Sequence, residues 1–433
     1  MDDDLRRRRT GRRVTDWQQD HDAYWAAIDA AVRAARLEAP VLAIDAIALE
    51  HNIADLRRRA GLDSAHRAGG VPIRVASKSL RIRSVISDIL RRDGFAGVLA
   101  YSVDEAHWLA TAAEVPDVLL GYPSVSTAAI ARLIADDTAR SRVTLLVDAP
   151  QQLDAIDAAV SPTAREPVRV AIDLDASLRY AGGRVHLGVR RSPVHTVAQA
   201  RDLARTIVGR RGFALVGVMS YEAQVAGVAN DASGTALRNR AVGVVQSRSM
   251  AELIKRRGKA VRAIREIADL EFVNAGGTGS IEATAADPSV TDIAAGSGFF
   301  GGHLFDGYAH FRPAPAMGFG LDVVRRPAHD IVTTLGGGWI ASGPPADDRL
   351  PRPVWPRGLS YVGTEAAGEV QTPLRGAAAE RMEIGDRVWF RHTKSGEPAE
   401  HVNEVAIIDR GADGGPRVID VVPTYRGEGK AFL

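Results

Sequence analysis

Short apolar runs ending in glycine, proline, serine or aspartate recur along most of the chain. Each gives way to a stretch with apolar residues at helical spacing. The runs cover residues 71–77, 95–102, 117–123, 143–148, 168–174, 213–221, 270–275 and 290–295. Helices are predicted between them over 84–92, 104–113, 127–135 and 193–209, and one or two more over 236–268. Eight strands alternating with helices over roughly 250 residues fit an α/β fold with one parallel (β/α)8 barrel. A doubly wound open sheet has the same alternation. The first and last runs are equally apolar, with no polar edge strand, and this favours closure.

The flanks read differently. Residues 16–37 place Trp17, Tyr24, Trp25, Ile28 and Val32 near helical spacing, and Pro40 closes the segment. A short strand follows at 41–45, then a helix at 46–59 and a polar loop at 61–70. After about residue 327 helical periodicity fades. Strands are predicted at 331–335, 359–363, 368–371, 387–390, 402–408 and 418–422, divided by glycine and proline clusters. The expected division is an arm and helix over 1–38, a barrel over 39–326 and a C-terminal β domain over 327–433, which the strand at 41–45 could join.

Composition narrows the partners. The 433 residues are 45% hydrophobic and 25% charged, and 55 basic against 53 acidic residues leave a net charge of +2. That balance gives no general pull toward nucleic acid or an anionic membrane. Cysteine is absent, which excludes disulfides, thiolate nucleophiles and cysteine zinc sites. The acidic and basic start reads as a solvated arm at residues 6–13 rather than a secretory signal, and no apolar run could span a bilayer. A cytoplasmic location is expected.

A barrel of this kind builds its site at the C-terminal ends of its strands. In strand order those ends carry Lys78; Tyr101, Ser102 and Asp104; Tyr122; Asp148; Asp173, Asp175 and the following Arg179; Ser220, Tyr221 and Glu222; Asn274 and the Gly276–Gly279 loop; and Gly296, Ser297 and Gly298. Loops after strands seven and eight often bind phosphate through backbone N–H groups, and glycines let the backbone approach closely. Gly-Gly-Thr-Gly can equally be a plain tight connection. Lys78 ends strand one, beside strand eight in a closed barrel. An amine there suits an aldehyde cofactor with a phosphate tail, held as an imine. A lysine after a strand can also be simply solvated.

Taken together, these segments resemble a known family. Val41-Leu42-Ala43-Ile44-Asp45, Ala48-Leu49-Glu50-His51-Asn52-Ile53, Arg74-Val75-Ala76-Ser77-Lys78, Asp173-Leu174-Asp175 with Arg179, Gly217-Val218-Met219-Ser220-Tyr221-Glu222 and Asn274-Ala275-Gly276-Gly277-Thr278 follow the order seen in fold-type III pyridoxal-phosphate enzymes, the alanine-racemase-like barrels. Within them the chain looks most similar to the D-threonine aldolase and D-serine dehydratase branch. The resemblance implies that Lys78 carries the cofactor and transfers protons. It implies that Gly276, Gly277 and Thr278, with Gly296 and Ser297, hold its phosphate. Tyr221 would lie against the ring or substrate, and Arg179 would approach the ring oxygen or a carboxylate. As plainer readings, Tyr221 packs the barrel mouth and Arg179 is a surface arginine. The stretch after Arg179 departs from the shorter turn of the family.

The same branch carries a metal-binding His-x-Cys or His-x-Asp near its C-terminus. Here His401 matches the histidine, and Asn403 stands where the second ligand belongs. Asparagine offers a neutral carbonyl oxygen, a poorer ligand for Mg, Mn or Zn than carboxylate or thiolate. His401 could instead act without metal on a substrate hydroxyl. The implied activity is that of a lyase on a β-hydroxy D-amino acid, cleaving Cα–Cβ or eliminating water. An amino-acid racemase, a non-catalytic pyridoxal-phosphate-binding protein and a barrel enzyme for a phosphorylated substrate are the alternatives. The implied partners are a small amino-acid substrate and, as in racemase-like relatives, a second copy in a homodimer.

Overall fold

The computed structural model describes residue 17 and residues 20–63, 70–180, 183–232, 236–344, 346–394, 396–411 and 414–433. The basic arm at 6–13 and most of the loop expected at 61–70 lie outside them. Two compact units emerge. One holds the described residues up to Ala54, Phe299–Leu304 and Pro313–Glu428; the other holds Asp55–Gly298, Phe305–Arg312 and Gly429–Leu433. The linear division at 38/39 and 326/327 is therefore interleaved in space.

In the second unit the eight apolar runs become parallel strands: Ile73–Ala76, Phe95–Ala100, Val118–Leu120, Val143–Val147, Val168–Asp173, Phe213–Ser220, Phe272–Ala275 and Asp292–Ala295. The last pairs with the first, Ile293 opposite Ile73, so the sheet closes into a barrel and the open alternative falls away. Most positions of these strands are buried, which explains their continuous apolar runs. Leu119, Leu146, Ala171, Val216, Met219 and Phe272 form one cluster drawn from five strands. Gly217 is required beside it, since a Cβ there would stand 2.3 Å from the Phe272 ring. The barrel also buries charge. Arg74 is paired with Asp117 at 2.7 Å and Asp292 at 3.1 Å, and the Asn274 amide donates to Asp292.

The helix expected at 193–209 starts later, as Val197–Val208, because Thr196 and Gln199 form a reciprocal capping box. The stretch 236–268 is one helix, Ala236–Arg265. A small hairpin, Leu178–Tyr180 with Val185–Leu187, stands where a loop was expected.

The first unit is a mixed sheet. Its path runs Ser360–Tyr361, Gln371–Arg375, Ile331–Leu335, Met317–Ala328, Val41–Asp45, Glu404–Arg410 and Pro416–Pro423, with Arg387–Arg391 branching from Met317–Ala328 and Arg352–Trp355 pairing in turn with Arg387–Arg391. Val41–Asp45 runs antiparallel to Met317–Ala328 and parallel to Glu404–Arg410. The strand Met317–Ala328 crosses the boundary expected at 326/327. Its glycines hid it: a Cβ at Gly318 would lie 2.5 Å from Trp25, and one at Gly320 would lie 2.7 Å from Arg387. Glycine weakens a strand signal but is needed where neighbours approach this closely. The strand expected at 402–408 begins at Glu404, so His401 and Asn403 precede it, and alternation along a strand does not align them.

Helix His21–Ala34, capped by the Asp20 carboxylate, supplies Tyr24, Trp25, Ile28 and Val32 to a core that includes Trp389, Val41 and Ile408. Trp25 and Trp389 are both buried. At ~25 cal/mol per Å², burying an indole is worth about 4–6 kcal/mol as an upper bound.

Candidate active site

Lys78 lies in the one-turn 3-10 helix Ser77–Ser79, directly after the first barrel strand. Its Nζ donates to the Tyr122 hydroxyl at 2.8 Å. Tyr122 follows the third strand, so the amine is aimed across the barrel mouth and not out into solvent.

The loops after strands seven, eight and one are tied together. Gly276 takes a φ of +81°, a left-handed turn that favours glycine. Its N–H donates to the Glu222 carboxylate at 3.2 Å. Thr278 Oγ1 accepts from the Gly298 N–H at 3.0 Å, and Ser79 and Ser297 hydroxyls lie 3.2 Å apart. Side chains are excluded at several points. A Cβ at Gly277 would meet the Tyr221 ring at 2.9 Å, and one at Gly296 would meet Ala76 O and Ser79 Oγ at 2.7 Å. Behind the loop, Arg59 donates to the Thr278 carbonyl at 2.6 Å and to Glu282 at 2.7 Å. Among the described residues, the amides of Thr278 and Gly279 donate to no protein acceptor. Two free amides in a glycine loop, beside the hydroxyl pair of Ser79 and Ser297, make a donor set for an anionic group such as phosphate.

The loop rests on a buried ionic network. Glu222 is fully buried and also accepts from Ser280 and Thr284. Arg257, equally buried, faces it at 3.4 Å and pairs with Asp287 at 2.8 Å.

Between the ends of strands three to six lies a cavity of about 410 Å³, lined among others by Tyr122, Asp148, Gln152, Asp173, Arg191 and Tyr221. Burial pushes the Tyr221 phenol up to about 12, with Arg191 opposing the shift. Burial also raises Asp173 to about 7, and the neighbouring Asp148 adds to the rise while Arg191 resists it. Asp148 is itself raised by burial, and Gln152 opposes the shift through a 2.7 Å hydrogen bond. Burial would raise Asp175 too, but the Ser177 hydroxyl and N–H, Arg179 and His195 hold it below the usual carboxylate value.

The structure thus gathers Lys78, Tyr221, Gly276, Gly277, Thr278, Gly296 and Ser297 in the barrel unit. Arg179 lies on the small hairpin, engaged with Asp175 at 2.5 Å and Ser177 at 3.1 Å, and does not line the cavity. Arg191 lines it instead, its guanidinium 5.5 Å from the Tyr221 ring and 6.0 Å from that of Tyr122. Nothing in its sequence neighbourhood singled it out. His401 and Asn403 belong to the sheet unit. The His401 ring stacks on Trp339 at 4.8 Å, and the Asn403 carbonyl accepts from Thr424 N at 2.9 Å. Among the described residues no three His, Cys, Asp or Glu side chains converge to hold a metal. An exposed imidazole and a neutral amide do not by themselves fit a divalent centre.

The model of the family described as "Alanine racemase, N-terminal domain" matches residues 44–301, more than half of the chain. The chain belongs to this family of fold-type III pyridoxal-phosphate enzymes. Among solved structures it is similar to D-threonine aldolase from Filomicrobium marinum, with 20% identity, a TM-score of 0.66, and 90% of this chain and 95% of that one covered. D-threo-3-hydroxyaspartate dehydratase from Delftia sp. HT23 gives 19%, 0.66, 90% and 97%. Alanine racemase of Clostridium difficile 630 gives 12%, 0.52, 90% and 99%. At these identities the likeness is one of fold. No curated protein matches the chain in sequence. Among the described residues no helix is long and apolar enough to cross a membrane.

Proposed function

We propose that the chain is a pyridoxal-phosphate-dependent lyase acting on a β-hydroxy D-amino acid, by elimination of water or by cleavage of Cα–Cβ. The observation that carries this reading is the Lys78 amine, held by Tyr122 at 2.8 Å in the unit that also carries the glycine loops. Lys78 would hold the aldehyde carbon of the cofactor. Gly276, Gly277, Thr278, Gly296 and Ser297 would hold its phosphate, and Tyr221 would lie against its ring or the substrate. When bound, the cofactor supplies an electron sink for a bond broken at Cα.

The chain's own residues do the rest. Once the substrate amine takes the place of Lys78, that amine is free to accept or return the Cα proton. Tyr122 orients it. Tyr221, neutral with its phenol near 12, can donate a hydrogen bond but is a poor base. The D-configuration and the hydroxyl rest on resemblance to the aldolase and dehydratase branch. A cytoplasmic location and a homodimer belong to the same reading.

The test is a visible spectrum of the purified protein with pyridoxal phosphate, followed by borohydride reduction and peptide mapping. The expected result is a pyridoxyl group fixed on Lys78 and turnover of D-threonine or D-serine. A protein that takes up no cofactor would leave only a phosphate-binding barrel.

A further inference from the structure

Asp173 closes the fifth barrel strand and lines the cavity with only 8% of the residue exposed. Its backbone carbonyl accepts from Ser192 Oγ at 2.6 Å. Its carboxyl makes no hydrogen bond or ion pair among the described residues. A buried carboxylate normally finds a partner, since an unpaired charge costs several kcal/mol.

The groups around it are committed elsewhere. On its own segment, Asp175 is taken by Ser177, Arg179 and His195. From strand four, Asp148 accepts from Gln152. From strand three, Tyr122 accepts from Lys78, and from strand six comes the neutral Tyr221. From the following loop comes Arg191, close enough to act on Asp173 but not in ion-pair contact. Asp173 lines the cavity together with Asp148, Arg191 and Tyr221.

Resting on the function proposed above, we infer that Asp173 is a catalytic acid that protonates the β-hydroxyl of the substrate as the Cβ–O bond breaks. The Cα proton passes to Lys78 Nζ, and the electron pair it leaves forms the Cα–Cβ double bond. The Cβ–O pair departs with oxygen, and the proton of Asp173 completes a water molecule. Asp173 is left as a carboxylate and regains its proton through solvent as Lys78 gives up the one it took from Cα. The shift to about 7 by burial keeps a large protonated fraction at neutral pH. In its protonated form this group serves elimination, while cleavage of Cα–Cβ would call on its carboxylate form to take the hydroxyl proton.

The test compares holoenzyme, Asp173→Asn, Asp173→Glu and His401→Ala across pH, with pyridoxyl labelling of Lys78 scored for each. Expected is a wild-type rate on D-serine that falls about tenfold per pH unit above about 7, as for an acid that must be protonated. Asp173→Asn should retain the label, lose at least about 100-fold in kcat and lose the alkaline limb. Asp173→Glu should regain the limb. Infrared difference spectra of wild type should show a protonated carboxyl that titrates near 7 and is missing in Asp173→Asn. An alkaline limb that survives in Asp173→Asn, or that vanishes in His401→Ala instead, overturns the assignment. So does the absence of a protonated carboxyl at neutral pH, which remains readable if Asp173→Asn fails to fold. An unlabelled Lys78 in wild type counts against the function itself and leaves the infrared result to decide the state of Asp173.

Discussion

The barrel unit and the sheet unit solve the problem of burial differently. The barrel takes charges inside and pairs them: Arg74 with Asp117 and Asp292, Arg257 with Glu222 and Asp287. The sheet unit fills much of its interior with rings, Trp25 against Trp389 and Phe319 stacked on Phe390 at 5.1 Å, with Asp29 among its polar insertions. Paired buried ions add little net stability over apolar packing, but losing one partner is costly. The barrel therefore holds polar groups in fixed directions, at the price of sensitivity to their loss. It is the unit in which loops must keep amides and an amine oriented.

That contrast can be broken in graded ways. Lys78→Ala is expected to lower turnover by about 10⁴-fold, the upper range for one positioned acid–base group, and to leave borohydride with nothing to fix. Arg257→Leu strands Glu222 and Asp287 without their cation. It should cost about 3–5 kcal/mol in denaturant unfolding and weaken cofactor retention, because Glu222 holds the Gly276 amide. A melt unchanged within 1 °C would show that the network is not what steadies the loop. In the sheet unit, Asp29→Ala removes the acceptor of Trp389 Nε1 at 2.9 Å and should cost about 1–3 kcal/mol while leaving Lys78 labelling intact.

The smallest effect is one of opposite signs with pH. Burial, with Arg391 and His303, pushes His392 down to about 3 from an ordinary 6.5. Between those values the unfolded chain binds more protons, so this stability is present above 6.5 and lost as pH falls toward 3. Asp173 runs the other way: raised to about 7 from 3.8, its contribution is fully present below 3.8 and is lost as pH rises from there to about 7. Thermal melts should show a shallower fall in stability as pH drops below 6.5 in His392→Phe, and a shallower fall as pH rises from 3.8 to about 7 in Asp173→Asn. Parallel curves for the variants and wild type would refute both.

Much of the barrel was legible because period and burial coincide there. A parallel strand covered on both faces is mostly apolar, as 118–120 and 143–147 are, and the charges that enter, Arg74 and Asp292, are paired with each other. The helix Thr127–Ala135 was readable to the residue. Met317–Ala328 was not, since Gly318 and Gly320 are set by Trp25 and Arg387, which come from far along the chain. The same holds for the site. The placing of Lys78 and the glycine loops at strand ends follows from strand order, while their roles rest on the family resemblance. The cavity role of Arg191 depends on where the loop after strand five folds back, and the unpaired state of Asp173 depends on where every neighbouring charge has gone. Neither is written in local sequence.

The bond from Trp389 to Asp29 joins residues 360 apart in sequence. Ribosomes add about 5–20 residues per second, so the two partners are made on the order of 20–70 s apart. All eight barrel strands leave the ribosome within that interval, each next to one already made. The helix His21–Ala34, with Tyr24, Trp25, Ile28 and Val32 on its apolar side, must wait for its strands. This helix, made before the barrel, is thus covered only after the barrel strands are complete, and its apolar side stays open during that part of translation.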